Sequence, residues 1–194
     1  MSPFDFEERF SSVFGAASLT DGAVALDGVR EDPVFADELY ELILQSRAHL
    51  EAHLPWVRET SAADIRRRIR GWGLAESLDQ GCCWKIMAGP EFKNLAGFIM
   101  MEVNLKNRSA ALSYWLLQPY EGQGVMRRSV ALVCDYAFSK LGLNRLEISV
   151  SKKNSRSASV ARRSGFREEG VSRDFELVNG VFEDHLRFSR LARD

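Results

Sequence analysis

Gly122-Gln123-Gly124 stands where a strand-like run, Tyr114–Leu117, gives way to a long amphipathic helical pattern. The first N–H groups of a helix have no intrahelical partner, and the helix dipole puts positive charge at the same end. Glycines at 122 and 124 allow positive φ and let an oxygen approach the backbone closely. A glycine turn feeding a helix N-terminus is therefore a seat for phosphate. Asn154 and Ser157 form an N-x-x-S pair opening a shorter helical stretch. From the residues alone Asn154 reads as a helix cap. Asp184-His185 sets an acid beside an imidazole, but neighbours on a strand face opposite ways. That spacing argues against a joint role and gives Asp184 a structural one.

The elements that must hold these residues follow from periodicity. Gly22–Arg30 alternates as a strand, and Phe35, Leu39, Leu42, Ile43, Ser46 and Leu50 fall on a helical stripe. Leu54-Pro55-Trp56-Val57 interrupts that stripe. Ser61-Ala62-Ala63-Asp64 reads as a capping box with Asp in place of Glu. The helix it opens buries Ile65, Ile69 and Trp72 and shows Arg66, Arg67, Arg68 and Arg70 elsewhere. Gly81–Ala88, Leu95–Val103 and Ser109–Leu117 are apolar strands joined by turns short enough for hairpins. Met126, Val130, Val133, Cys134, Ala137, Phe138 and Leu141 keep the 3.6 period over four turns, and Gly142 is placed to end that helix. Arg145–Val150 alternates as a strand, a helix runs from Asn154 to about Ser164, and Phe166–Val178 and Val181–Arg190 flank the hairpin signal Asn179-Gly180. This order predicts one α/β domain with a mixed sheet. Residues 1–21 read as an N-terminal extension to a domain of residues 22–194. Phe6, Phe10 and Phe14 share a helical face in that extension, which is either a terminus folded back on the domain or a docking arm.

Composition narrows the function classes. The 194 residues carry 26 Lys and Arg against 27 Asp and Glu, so the net charge of −1 gives no global attraction to nucleic acid or membrane. Lys152, Lys153, Arg156, Arg162, Arg163, Arg167 and Arg173 make one locally basic segment. Cys82, Cys83 and Cys134 provide neither a disulfide framework nor a metal spacing. No metal site is expected, and no stretch approaches the ~20 apolar residues of a membrane span. Reduced thiols and the lack of a signal pattern predict a cytoplasmic protein.

Four stretches together carry a resemblance: Leu54-Pro55-Trp56, Ser113–Met126 (SYWLLQPYEGQGVM), Asn154–Phe166 (NSRSASVARRSGF) and Asn179–His185 (NGVFEDH). In that order, from about Leu26 to Leu191, the chain resembles the GNAT superfamily of acetyltransferases. Within it the likeness is to the branch of ribosomal-protein N-terminal acetyltransferases. The resemblance implies a single GNAT-like domain with a mixed, mostly antiparallel seven-stranded sheet, helices on both faces, and a splayed pair of parallel strands, Ser109–Leu117 and Arg145–Val150. It implies acetyl-CoA as co-substrate. The pantetheine arm would pair with backbone at Trp115, Leu116 and Leu117, and the pyrophosphate would sit on the turn Glu121, Gly122, Gln123, Gly124, Val125 and Met126. Asn154 and Ser157 match positions that contact the cofactor arm. Two departures stand out. Pro119 replaces a Gln or Arg of the turn motif and offers no N–H, so a donor is either lost or supplied from Gln118. Ala111 stands where the strand often carries a Glu, so the usual general base is absent.

Transfer to an amine needs a deprotonated amine, a stabilised oxyanion and a protonated thiolate. The resemblance implies direct attack without an acyl-enzyme. The Leu116 N–H is the expected oxyanion donor, and Ser157 or Tyr114 the expected acid. Glu102 is the first candidate base, with a water relay and a merely exposed sheet residue as alternatives. The acceptor is a primary amine, either a protein N-terminus or a small molecule such as a polyamine or an aminoglycoside. A non-catalytic acetyl-CoA-binding module is the competing reading, and a homodimer is implied by analogy.

Overall fold

A strand covered on both faces reads as an apolar run, as Gly81–Ala88 does, and alternation marks one face as buried, as in Arg145–Ser151. The computed structural model describes residues 3–194, so Met1 and Ser2 of the expected extension lie outside the described residues. Its elements in chain order are α1 (Pro3–Val13), β1 (Leu19–Thr20), β2 (Ala25–Gly28), α2 (Pro33–Gln45), α3 (Arg47–Leu50), α4 (Ala62–Ser77), β3 (Gly81–Ala88), β4 (Asn94–Asn104), β5 (Ser109–Leu116), α5 (Val125–Asp135), β6 (Arg145–Ser151), α6 (Ser155–Arg163), β7 (Arg167–Val178) and β8 (Val181–Leu191). They form one eight-stranded sheet in the order β1-β2-β3-β4-β5-β6-β8-β7. The expected seven strands become eight because Leu19–Thr20 adds a short edge pair to β2. All neighbours are antiparallel except β5 and β6.

Local chemistry starts and stops these elements as the sequence implies. Asp32 caps α2 by accepting the Val34 N–H at 2.9 Å, with Pro33 in the first helical turn. Ser61 and Asp64 form a reciprocal capping box on α4. The stripe from Phe35 to Leu50 does not run as one helix: Ser46 leaves helical geometry (φ −101°, ψ 6°) and separates α2 from the single turn of α3. Asn179 and Gly180, at φ +49° and +82°, make the tight hairpin between β7 and β8.

The sheet is covered on both faces. On one side α1, α5 and α6 pack on Trp84, Ile99, Leu112, Leu146 and Ile148. On the other, α2 and α4 pack Leu39, Ile43, Ile65 and Ile69 against Phe98 and Trp115. The N-terminal segment is not an arm. Phe6 and Phe10 are 2% and 1% exposed and belong to the first core cluster. Past the end of α5 the chain widens into a π turn at Tyr136–Lys140. There the Tyr136 hydroxyl bonds the Gly15 carbonyl at 2.8 Å and fixes the exit of α1. Trp84 Nε1 donates to Ala17 O at 2.9 Å on the same path. Apolar rings at helical spacing would be costly to leave in water, and this surface of the sheet is where they are buried.

Candidate functional site

The cleft is made by a parallel pair that stops pairing. β5 and β6 stay in register from Ser109↔Arg145 to Leu112↔Ile148, four residue pairs, and then diverge. Two adjoining cavities open there, of about 830 Å³ and 260 Å³. His49, His53, Tyr114, Leu116, Glu121, Asn154 and Ser157 line both. The larger lies at the N-terminus of α5; the smaller extends under α3 to β6, β7 and β8.

Backbone parity decides which strand groups reach the gap. The Leu117 N–H bonds Ala96 O at 2.8 Å, so that pair faces β4. Hydrogen-bonding direction alternates along a strand, so the N–H and C=O of Leu116 face the cleft, while those of Trp115 and Leu117 turn away from it. The Leu117 carbonyl is also taken, by the Tyr120 N–H. Of the three residues expected to pair with a ligand arm, only Leu116 offers its main chain. Trp115 contributes to the lining of the smaller cavity, and Leu117 is buried in the second core cluster.

At the larger cavity, Gly122 and Gly124 hold φ of +73° and +76°, and a Cβ on either would meet nothing within 4 Å. Glycine is needed here for the backbone angle, and the space beside it is open. The Arg128 N–H makes the first bond of α5, to Gly124 O, which leaves the N–H groups of Val125, Met126 and Arg127 pointing out of the helix end. No side chain caps Gly124. Gln118, Glu121, Gly122, Gly124, Val125 and Met126 all line this cavity; the Gln123 side chain instead turns back and donates to Pro119 O. Pro119 sits at the start of a 3₁₀ turn, Gln118–Tyr120, where its missing N–H costs no helix bond. The Glu121 carboxylate is held by Arg156 and lies 3.3 Å from His49 Nε2, so it ties α6 and α3 to the turn.

The basic segment divides between two roles. Lys152, Lys153, Arg162 and Arg167 pair with Asp184, Glu183, Glu168 and Asp194. Arg156 and Arg163, with Arg127 from α5, line the larger cavity. This is the end of the cleft that suits an anionic ligand. At the other end of the chain's arginines, Arg66, Arg67 and Arg70 are each paired with a surface carboxylate.

Asn154 is both a helix cap and a cleft-lining residue. Its side chain caps α6 by accepting the Ser157 N–H at 3.0 Å, and it lines both cavities. Ser157 Oγ donates to the Tyr114 hydroxyl at 3.1 Å. The two expected acids are therefore one hydrogen-bonded unit. Burial pushes the Tyr114 phenol up to about 12, against a smaller opposing effect of Ser157, so it stays protonated near neutrality.

Glu102 is not brought to this unit. It is exposed on β4 opposite Ala111, beyond the fork at Leu112 on the still-paired side, and it lines neither cavity. Asp184 accepts the Asp174 N–H at 3.1 Å and pairs with Lys152, a structural job. His185, which the sequence offers only beside Asp184, lines the smaller cavity together with Glu176 and Ser149, neither of which sequence reasoning singles out. Ser149 carried a signal: it and Ser151 alternate with the buried Ile148 and Val150, which marks the other face of β6 as polar. The three cysteines are free and buried, and burial raises all three thiols, Cys134 to about 11. None lines either cavity, so no thiol nucleophile serves the cleft. Among the described residues no cluster of ligating side chains could hold a metal ion.

Comparison with known proteins agrees with this geometry. Residues 29–167 match the model of the acetyltransferase (GNAT) domain. The chain is 34% identical to the putative ribosomal N-acetyltransferase YdaF of Bacillus subtilis (strain 168), covering 84% of this chain and 89% of that protein. It is 28% identical to the ribosomal-protein-serine acetyltransferase of Escherichia coli (strain K12), over 79% of this chain and 85% of the relative. Among solved structures, the ribosomal L7/L12 α-N-protein acetyltransferase RimL in complex with coenzyme A superposes with a TM-score of 0.81. That match is at 26% identity and covers 90% of this chain and 98% of RimL. The fork between β5 and β6, the glycine turn at the head of α5 and the match over residues 29–167 lead to one conclusion: the chain belongs to the GNAT acetyltransferases.

Proposed function

We propose that this protein transfers the acetyl group of acetyl-CoA directly to a primary amine, the α-amino group of a polypeptide N-terminus. The observation that carries the donor half is the larger cavity, whose glycine turn and helix end present outward N–H groups beside Arg127, Arg156 and Arg163. Coenzyme A bound to RimL supports the same reading. The pyrophosphate lies on Gly122–Met126, the arm runs along Leu116, and the thioester comes to the fork. The Leu116 N–H polarises the thioester carbonyl and receives the charge that develops on its oxygen.

Attack is by the amine itself, since no cysteine reaches the cleft. As the carbon–sulfur bond breaks, the Ser157–Tyr114 pair supplies a proton to the thiolate. Tyr114→Phe is expected to lower kcat by about a hundredfold with little change in acetyl-CoA affinity. Ser157→Ala should fall less, because Tyr114 can still donate. Steady-state kinetics on the two variants checks this, and a Tyr114→Phe enzyme with full kcat would remove the assignment.

The polypeptide acceptor rests on the ribosomal-protein acetyltransferases to which the chain is similar. The Leu54-Pro55-Trp56 segment beside α3 is part of that likeness, and Leu54 lines the smaller cavity. A cytoplasmic location and a homodimer belong to the same reading. The test is coenzyme A release with a panel of N-terminal peptides, spermidine and an aminoglycoside as acceptors. Peptide acceptors are expected to give kcat/KM at least about tenfold above the small amines. Release favouring spermidine would move the acceptor to polyamines, and tight acetyl-CoA binding with no acceptor-dependent release would leave only a binding module.

A further inference from the structure

Of the four arginines on α4, Arg66, Arg67 and Arg70 are paired with carboxylates. Arg68 is held differently. Its guanidinium is half-buried and lies 4.0 Å over the Trp56 ring, and among the described residues it makes no ion pair. Asp64 is the acid whose charge acts on it. Both oxygens of that carboxylate are already engaged, Oδ2 by the Ser61 N–H and hydroxyl and Oδ1 by Arg67. Burial takes water from the Arg68 cation, and Asp64 offsets this only in part.

Trp56 and Arg68 face a third cavity of about 660 Å³, together with Arg58 and the hairpin tip at Asn179 and Gly180. This groove adjoins the smaller cavity along two peptide bonds. Leu54 lines the smaller cavity and Pro55 the groove; Val178 lines the smaller cavity and Asn179 the groove.

We propose that the groove holds the acceptor polypeptide beyond its first residues and selects an acidic side chain there, whose carboxylate pairs with Arg68 and Arg58. This rests on the polypeptide-acceptor reading and deepens it. The β7–β8 hairpin gives the reach. Glu183 and His185 line the smaller cavity and Gly180 lines the groove, so the strand between them spans ~10–17 Å at ~3.3 Å per residue. An extended acceptor covers that span with about three to five residues. The acidic side chain therefore stands at about the fourth to sixth position from the amino end.

Charge changes sign along this path. Glu176 and Glu183 line the smaller cavity, where an ammonium enters, whereas the groove carries Arg58, Arg67 and Arg68 against Glu59 and Asp64. Arg67 and Asp64 are paired with each other, so Arg58 and Arg68 outweigh Glu59. A guanidinium stacked on an indole keeps its N–H edge free, and that edge presents parallel donors to a carboxylate. Trp56 fixes Arg68 before any ligand arrives, so little side-chain freedom is lost on binding. An acceptor with lysines at the same positions meets like charge in the groove and is disfavoured.

The test is acetylation by the full chain of three peptides that share their first three residues and differ at the fourth to sixth, as glutamates, glutamines or lysines. For wild type, kcat/KM for the glutamate peptide should exceed that for the glutamine peptide by about tenfold, with the difference in KM rather than kcat. Arg68→Gln should reduce that ratio to about twofold, and Arg68→Glu should turn the preference toward the lysine peptide. Two results overturn the proposal while the polypeptide reading stands: glutamate and glutamine peptides acetylated equally by wild type, or a preference that Arg68→Glu leaves as in wild type. Spermidine preferred over all three peptides overturns the polypeptide reading and the role of the groove together.

Discussion

Gly122→Val and Gly124→Val should each weaken acetyl-CoA binding by at least about a hundredfold, and the double variant should show none at millimolar ligand. A Cβ at either position points into open space beside the turn. That space is where a pyrophosphate must come to reach the N–H groups of Gly122–Met126. Hydrogen bonds to a charged group contribute about 1.5–3 kcal/mol each. Losing one or two, at about 1.4 kcal/mol per tenfold, gives the factor stated. Valine at positive φ also adds backbone strain of about 1–3 kcal/mol. Titration calorimetry must therefore be paired with the melting temperature of the unliganded protein. Gly→Ala at the same positions shares the φ penalty with a smaller side chain and should fall between. Affinity unchanged in both valine variants, with the fold intact, would remove the phosphate seat from the turn.

Phe10→Ala should destabilise the protein by about 3–5 kcal/mol, with Phe6→Ala in the same range. Both rings are almost fully buried in the cluster beneath α1 and α5. Phe10 also stacks with Phe14 at 4.7 Å, and Arg108 lies over Phe6 at 4.1 Å. A typical domain has about 5–15 kcal/mol in total, so removal of residues 1–13 should give a chain that does not fold cooperatively. Urea unfolding measures the first, and circular dichroism of the truncated chain the second. A loss under about 1 kcal/mol for Phe10→Ala would mean that α1 is an appendage after all.

That prediction marks where sequence reading reached its limit. The stripe Phe6, Phe10, Phe14 gave the helix and its apolar face, but not what the face meets. The answer depends on Trp84 and Tyr136, which lie 67 to 123 residues from the Val13, Gly15 and Ala17 carbonyls that accept their hydrogen bonds. The sheet was legible in all but one strand, because β3 and β4 are apolar runs of strand length and β5 and β6 alternate; β1 has two residues and no period to detect. The glycine turn at the head of α5 was legible because Gly122 and Gly124 take positive φ through their own backbone. Glu102 went astray because strand parity was right while position along the strand was not: it shares a face with Ala111 but lies below the fork. His185 was set aside because its neighbour Asp184 was the wrong partner; its true neighbours, Ser149 and Glu176, sit on other strands.

The four residue pairs between β5 and β6 also have a mechanical meaning. Among the described residues they are the only strand pairing between a five-stranded half, β1 to β5, and a three-stranded half, β6, β8 and β7, with α5 packed across both. Adjacent seams are longer, eight pairs between β4 and β5 and seven between β6 and β8. Parallel pairing is also slightly weaker per residue. The sheet should then flex as two plates about this seam, with amides near Leu112 and Ile148 exchanging hydrogen sooner than those of β4. A ligand arm bonded to Leu116 would bridge the plates above the hinge and damp that motion. Each turnover would then require the plates to reopen before the spent cofactor leaves.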